Sequence, residues 1–110
     1  MEYAVQLIPE AVEDYRRLDG SVRKSVNKKI DELKSNPFLG EKLGNKYHNN
    51  LSGFYKVYVH SRKYRIVYRL LDGKEIEIVE IWGIGKREKE EIYRIIGNRL
   101  KKTGKKNPDS

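Results

Sequence analysis

The chain has 110 residues, with 24 Lys and Arg against 16 Asp and Glu, two histidines and no cysteine. That length makes one domain with a modest core. The composition excludes disulfides and thiolate metal sites, and His48 and His60 do not have metal-ligand spacing. No apolar run approaches the ~20 residues of a membrane span, and the first residues lack the basic-then-apolar layout of a signal peptide, so the cytoplasm is the expected location. The net charge of +8 is unevenly spread: residues 1–41 carry −1, residues 42–74 +7, residues 75–98 −2 and residues 99–110 +4. A positive centre of that kind suits a polyanionic partner.

In chain order, Tyr3 to Ile8 alternates weakly and predicts a short strand. Pro9, with Glu10, Glu13 and Asp14 behind it, opens a helix whose apolar stripe is Ala11, Tyr15 and Leu18. Asp19-Gly20 ends that helix, and Ser21 is expected to cap a second one carrying Val22, Val26, Ile30 and Leu33 on one face. Asn36-Pro37 stops it. Residues 37–53, rich in Gly, Asn and Lys, read as a polar loop. Strands follow at about 54–60 and 64–71, with a turn near Ser61-Arg62-Lys63, and Asp72-Gly73 marks the next hairpin. A three-residue hairpin loop, Leu71-Asp72-Gly73, pairs Leu70 with Lys74 and gathers Tyr64, Ile66, Tyr68, Leu70, Ile76 and Ile78 on one face. The last strand runs through Trp82. The glycines of Gly83-Ile84-Gly85 are expected to turn the chain off the sheet and deliver Lys86 and Arg87 beside it. A final helix from about Glu88 carries Ile92, Ile95 and Ile96. The domain spans residues 1–100, and residues 101–110 form a basic tail with nothing apolar to bury, expected to be disordered.

The stretch from Phe54 to Arg69 decides the functional reading. Cations and tyrosines alternate there with aliphatic residues at the period that sends neighbours to opposite faces of a strand. If Tyr55, Val57 and Val59 join the core, then Lys56, Tyr58, His60 and Arg65 share the other face. Positive charge with aromatic rings suits a phosphate backbone and stacked bases. Gly83 to Lys86 fails as a nucleotide loop, because the lysine is followed by Arg87 and Glu88 and not by Ser or Thr.

The order helix, helix, basic hairpin, Gly-Lys-Arg-Glu, helix with tyrosine resembles the RelE branch of the RelE/ParE toxin superfamily from about Tyr3 to Leu100. The residues that carry the resemblance are Tyr55-Lys56, Tyr64-Arg65-Ile66-Val67-Tyr68, Gly85-Lys86-Arg87-Glu88, and Tyr93 six residues past Arg87. It implies an α+β fold, with an N-terminal helical hairpin packed on a small, twisted, antiparallel-dominated sheet and a C-terminal helix. It also implies a ribosome-dependent, metal-independent endoribonuclease that cleaves messenger RNA in the decoding site, needs no cofactor and is neutralised by an antitoxin protein. By the same resemblance, Lys56 matches a catalytic lysine, Arg65 and Arg87 the phosphate- and transition-state-binding arginines, and Tyr93 the tyrosine at the reacting nucleotide. RelE has a second lysine two residues after the first, where this chain has Tyr58, which leaves the identity of the general base open.

Cleavage by RNA's own 2′-hydroxyl needs a proton acceptor and cations on the developing charge. Crowding by Arg65 and Arg87 is expected to lower the Lys56 pKa and make it acid or base. Tyr93 or Tyr58 then stacks on a base or holds the 2′-hydroxyl. Tyr58, His60, Lys63, Arg69 and Lys86 are candidate RNA or ribosome contacts. The rival structural reading pairs Arg65 with an acid, packs Tyr93 in the core and leaves Lys56 as a surface residue. The rival functional reading is a ParE-like toxin that inhibits DNA gyrase without cutting RNA.

Overall fold

The computed structural model of the chain describes residues 3–46, 49–72, 77–86 and 91–105. Weak alternation at the start forms strand β1 (Ala4–Leu7), and Pro9 opens helix α1 (Pro9–Arg16), where its fixed φ and missing N–H cost nothing. Asp19, and not Ser21, caps helix α2 (Gly20–Ser35). Its carboxylate accepts the Val22 N–H at 3.1 Å and the Ser21 hydroxyl at 2.9 Å, and these bonds hold its pKa below the usual carboxylate range. Asn36 ends α2 as expected.

The polar loop holds three two-residue strands, β2 (Glu41–Lys42), β3 (Asn45–Lys46) and β4 (Asn49–Asn50). Strands β5 (Phe54–Val59), β6 (Tyr64–Asp72) and β7 (Glu77–Lys86) and helix α3 (Glu91–Lys105) complete the described chain. Helix α3 runs past Leu100, so the first residues of the expected tail are helical. The main sheet has the order β1-β7-β6-β5-β2, with β1 parallel to β7 and every other pair antiparallel. This is the expected α+β arrangement. Among the described residues no helix is long and apolar enough to cross a membrane.

The β6–β7 hairpin departs from its expected register. Leu70 pairs with Val79 and Asp72 with Glu77, so the connection is longer than three residues; Gly73 to Ile76 lie outside the described residues. A bulge follows: Val67 pairs with Gly83 but Tyr68 with Ile81, leaving Trp82 as the extra residue. The bulge changes the phase of β7. Val79 and Ile81 before it and Ile84 after it all face the helical hairpin, whereas the three-residue loop was expected to put Ile78 there; the longer connection puts Val79 across from Leu70 instead.

Each face of the sheet therefore has a core. Ala11, Leu18, Val22, Val26 and Leu33 pack on Val57, Val59, Ile66, Tyr68, Val79, Ile81 and Ile84. On the opposite face Ile92, Tyr93 and Ile96 of α3 pack on Phe54, Val67 and Trp82. Tyr68 ties the first core to the loop before β2. Its hydroxyl donates to Pro37 O at 2.8 Å and accepts from Gly40 N at 3.0 Å, and burial pushes its pKa up to about 12. A Cβ on Gly40 would lie 2.6 Å from that hydroxyl and 2.7 Å from Lys56 O, so only glycine fits.

Gly83 and Gly85 are not a hinge. Both lie within β7, and α3 rests directly on them: a Cβ on Gly83 would stand 2.5 Å from Ile96 Cδ1, and one on Gly85 3.1 Å from Ile92 Cδ1. An ion pair fixes the far end of the helix. Asp14 on α1 accepts from Arg99 Nη1 at 2.8 Å, from Arg99 Nη2 at 2.9 Å and from Ile84 N at 3.0 Å, while Arg99 Nη1 also donates to Trp82 O at 2.7 Å.

Gly83→Ala is expected to lower unfolding free energy by about 1–3 kcal/mol through overpacking, and Gly85→Ala by less. Asp14→Ala strands a largely buried guanidinium and is expected to cost about 3 kcal/mol. Denaturant midpoints of the purified variants measure both.

Candidate active site

Antiparallel pairing of β5 with β6 sets Tyr58 across from Arg65 and Lys56 across from Val67, on the face that α3 covers. Lys56 Nζ donates to Tyr58 Oη at 3.1 Å and lies 5.1 Å from the centre of that ring. The Arg65 guanidinium sits between two rings, 5.3 Å from the Tyr58 centroid and 4.9 Å from that of Tyr93. Tyr93 arrives from the first turns of α3. Lys56, Arg65 and Tyr93 thus meet, with Tyr58 among them. Arg87 lies outside the described residues.

The face is less open than alternation implies, because α3 lies over it. Arg65 is 3% exposed and Tyr93 0%, whereas Lys56 and Tyr58 are half-buried and reach solvent. The core reading of Tyr93 and its place beside Arg65 are both correct. Arg65 supplies its charge from beneath the surface, where low dielectric strengthens it.

The expected lowering of the Lys56 pKa does not occur. Burial pulls it down, but hydrogen bonding and charge interactions with Tyr58 and Tyr93 outweigh burial and raise it. Cation crowding fails here because aromatic rings and phenol oxygens stand between the cations. The group whose proton is loosened is Tyr58, its pKa lowered to about 8, which favours the phenolate. The hydrogen bond from Lys56 is the largest cause; burial opposes it, and hydrogen bonding and charge from Arg65 add to it.

His60 leaves the cluster. It begins a turn in which His60, Ser61 and Arg62 have φ of 53°, 54° and 65°, left-handed values that non-glycine residues rarely adopt. Strand parity ends at Val59, so the imidazole turns toward α2, where its Nδ1 lies 3.2 Å from Ser25 Oγ, and its ring meets the edge of Tyr64. The same turn carries Arg62 back over Tyr58, 4.5 Å from the ring centre. Arg62 is the residue that strand periodicity missed, since turn residues have no parity. A groove of about 380 Å³ opens beside it, lined by Tyr58, His60 and Arg62 on one side and Lys28 and Lys29 of α2 on the other.

The remaining candidates separate. Lys63 is exposed in the turn. Lys86 is exposed but pairs with Tyr64, which packs against the helical-hairpin core, so it stands away from Lys56 and Arg65. Arg69, expected at RNA, is half-buried and tied to its neighbours, with its side chain 34% exposed. Its Nε donates to Glu80 Oε1 at 2.7 Å, and its guanidinium lies 4.8 Å from the centre of the Trp82 ring. Trp82 Nε1 donates to the same carboxylate oxygen at 2.6 Å.

Sheet, helical hairpin and cation–tyrosine cluster together define a small α+β domain with a charged, aromatic site under its last helix. A family model described as the ParE toxin of the type II toxin-antitoxin system, parDE, matches residues 5–97. The mRNA interferase toxin RelE of Escherichia coli K12 is 31% identical over 96 residues, covering 84% of this chain and 92% of that protein. The free structure of an arginine-to-alanine double mutant of the E. coli RelE toxin superposes with a TM-score of 0.71 at 27% identity, over 91% of this chain and 99% of that one. The toxin in the intact E. coli RelBE toxin-antitoxin complex gives a TM-score of 0.61 at 29% identity, over 79% and 99%. The chain belongs to the RelE/ParE toxin superfamily, in its RelE-like branch.

Arg69→Ala removes the partner of a mostly buried Glu80 and the cover on Trp82, and is expected to destabilise the protein by about 1–2 kcal/mol. Lys63→Ala, on an exposed turn, is expected to change stability by less than about 0.5 kcal/mol. Thermal and urea unfolding of the two variants provide the comparison.

Proposed function

We propose that the protein is the toxin of a type II toxin-antitoxin pair and arrests translation by cleaving messenger RNA in the decoding site of the ribosome. The carrying observation is the meeting of Lys56, Tyr58, Arg65 and Tyr93 on one sheet face of a RelE-like fold. Lys56 and Arg65 supply positive charge where a phosphorane-like transition state gathers negative charge, and Arg87, six residues before Tyr93 in the sequence, is the second phosphate-binding arginine that the resemblance implies. Tyr93, fully buried, backs the Arg65 guanidinium and holds it in place. Lys63, Arg62 and the lysines of the α2 groove are the surface for ribosomal RNA, in place of Arg69. Side-chain cations provide the charge stabilisation, so the reaction is proposed to run without a metal or cofactor, in the cytoplasm.

The RelE-like relatives, named mRNA interferases, support RNA cleavage over the ParE-like alternative of gyrase inhibition. So does the cluster, since a gyrase inhibitor that cuts nothing has no use for a lysine–phenol pair among arginines. A solved RelE–RelB complex supports a protein antitoxin as partner, and the charge of residues 42–74 suits an acidic or amphipathic segment wrapped on the toxin.

Expression is expected to stop protein synthesis at once, with cleaved message on the ribosome. Arg65→Ala and Arg87→Ala are each expected to lower the cleavage rate about 10²-fold or more. Undiminished cleavage in both removes the proposed site. A DNA-damage response with protein synthesis intact favours gyrase.

A further inference from the structure

Tyr58 stands where the resemblance expects a second lysine, and its surroundings differ from those of an ordinary surface tyrosine. Its hydroxyl accepts from Lys56 Nζ at 3.1 Å, its ring is flanked by the guanidinium groups of Arg62 at 4.5 Å and Arg65 at 5.3 Å, and one edge opens on the α2 groove. The titratable and charged groups that face it are Lys56 on β5, Arg62 in the turn, Arg65 on β6, Tyr93 on α3, His60, and across the groove Lys28, Lys29 and Glu32. Glu32 is paired with Lys29 at 2.8 Å, so the carboxylate in that set is already neutralised. Cations therefore dominate the field at the Tyr58 oxygen, and they favour its ionised form.

We infer that Tyr58, as a phenolate held by Lys56 and Arg65, accepts the proton of the attacking 2′-hydroxyl. This rests on the ribonuclease reading above and assigns the base that reading leaves open. In the step, the 2′-hydroxyl proton passes to Tyr58 Oη and the 2′-oxygen forms a new bond to phosphorus. The bond from phosphorus to the 5′-oxygen breaks with its electron pair, leaving a 2′,3′-cyclic phosphate. The 5′-oxygen takes a proton from water, and the Tyr58 hydroxyl then releases one to solvent, so protons balance over the turnover. Lys56 stays an ammonium throughout, which agrees with the upward displacement of its pKa. Tyr58 exchanges its proton in the physiological range because its pKa is lowered to about 8.

The sign of the pH dependence follows. The base works deprotonated, so the rate rises with pH and levels off above about 8. The experiment measures single-turnover cleavage of ribosome-bound message across neutral to alkaline pH for wild type, Tyr58→Phe and Tyr58→Lys. In parallel, tyrosinate absorbance is titrated in the free proteins. Expected results are a fall of about 10²-fold or more in Tyr58→Phe with loss of the rising limb, and partial recovery in Tyr58→Lys with the limb moved. The near-neutral tyrosinate transition is expected in wild type and absent from Tyr58→Phe, with circular dichroism and the thermal midpoint of the variant matching wild type to show that it is folded. If Tyr58→Phe keeps the wild-type rate and profile, or retains that transition, the inference is wrong and the ribonuclease reading stands. If wild type cleaves at no pH, the ribonuclease reading falls and the assignment of a base falls with it.

Discussion

The distance between α3 and β7 governs the rest of this molecule. Two positions without a Cβ, Gly83 and Gly85, let Ile92 and Ile96 settle onto the strand backbone, and the Asp14–Arg99 pair locks the far end of the helix to α1. Only at that separation does the Tyr93 ring reach the Arg65 guanidinium. The bulge at Trp82 serves the same end. By changing the phase of β7 it turns Gly83 and Gly85 toward α3 while Ile84 continues the opposite core.

That packing shapes the electrostatics. Arg65, nearly excluded from solvent, keeps a strong field because little water screens it, and the neighbouring tyrosines answer it with their rings and oxygens. The cations do not compete for one another's protons. Their combined effect falls on the phenol that stands beside both Lys56 and Arg65, and it is the Tyr58 oxygen, not the Lys56 nitrogen, whose pKa comes down.

Much of this was legible in the chain. The helical stripes, the core set Tyr55, Val57, Val59, Ile66 and Tyr68, and the grouping of Lys56 with Tyr58 and Arg65 all follow from periodicity, because burial on one face enforces it. The failures have physical reasons. Alternation has no means of foreseeing a bulge, and one extra residue at Trp82 reverses everything after it. A left-handed turn at His60 to Arg62 ended the parity that placed His60 with the cations. The acid opposite Arg69 is Glu80, because the hairpin is longer than Asp72-Gly73 suggests. Ser21 looked like a cap, but Asp19 stands at the position from which a side chain reaches the Val22 amide.

Gly40 lies outside the pocket, yet it backs onto the carbonyl of Lys56 and the hydroxyl of Tyr68 at once. A methyl group there has two ways to relax, and each is harmful: moving Tyr68 loosens the main core, while moving β5 shifts the lysine that orients Tyr58. Stability and chemistry are coupled at a residue with no side chain. A substitution at this loop glycine can thus silence the protein without touching any charged side chain, by lowering its abundance and disturbing β5 together.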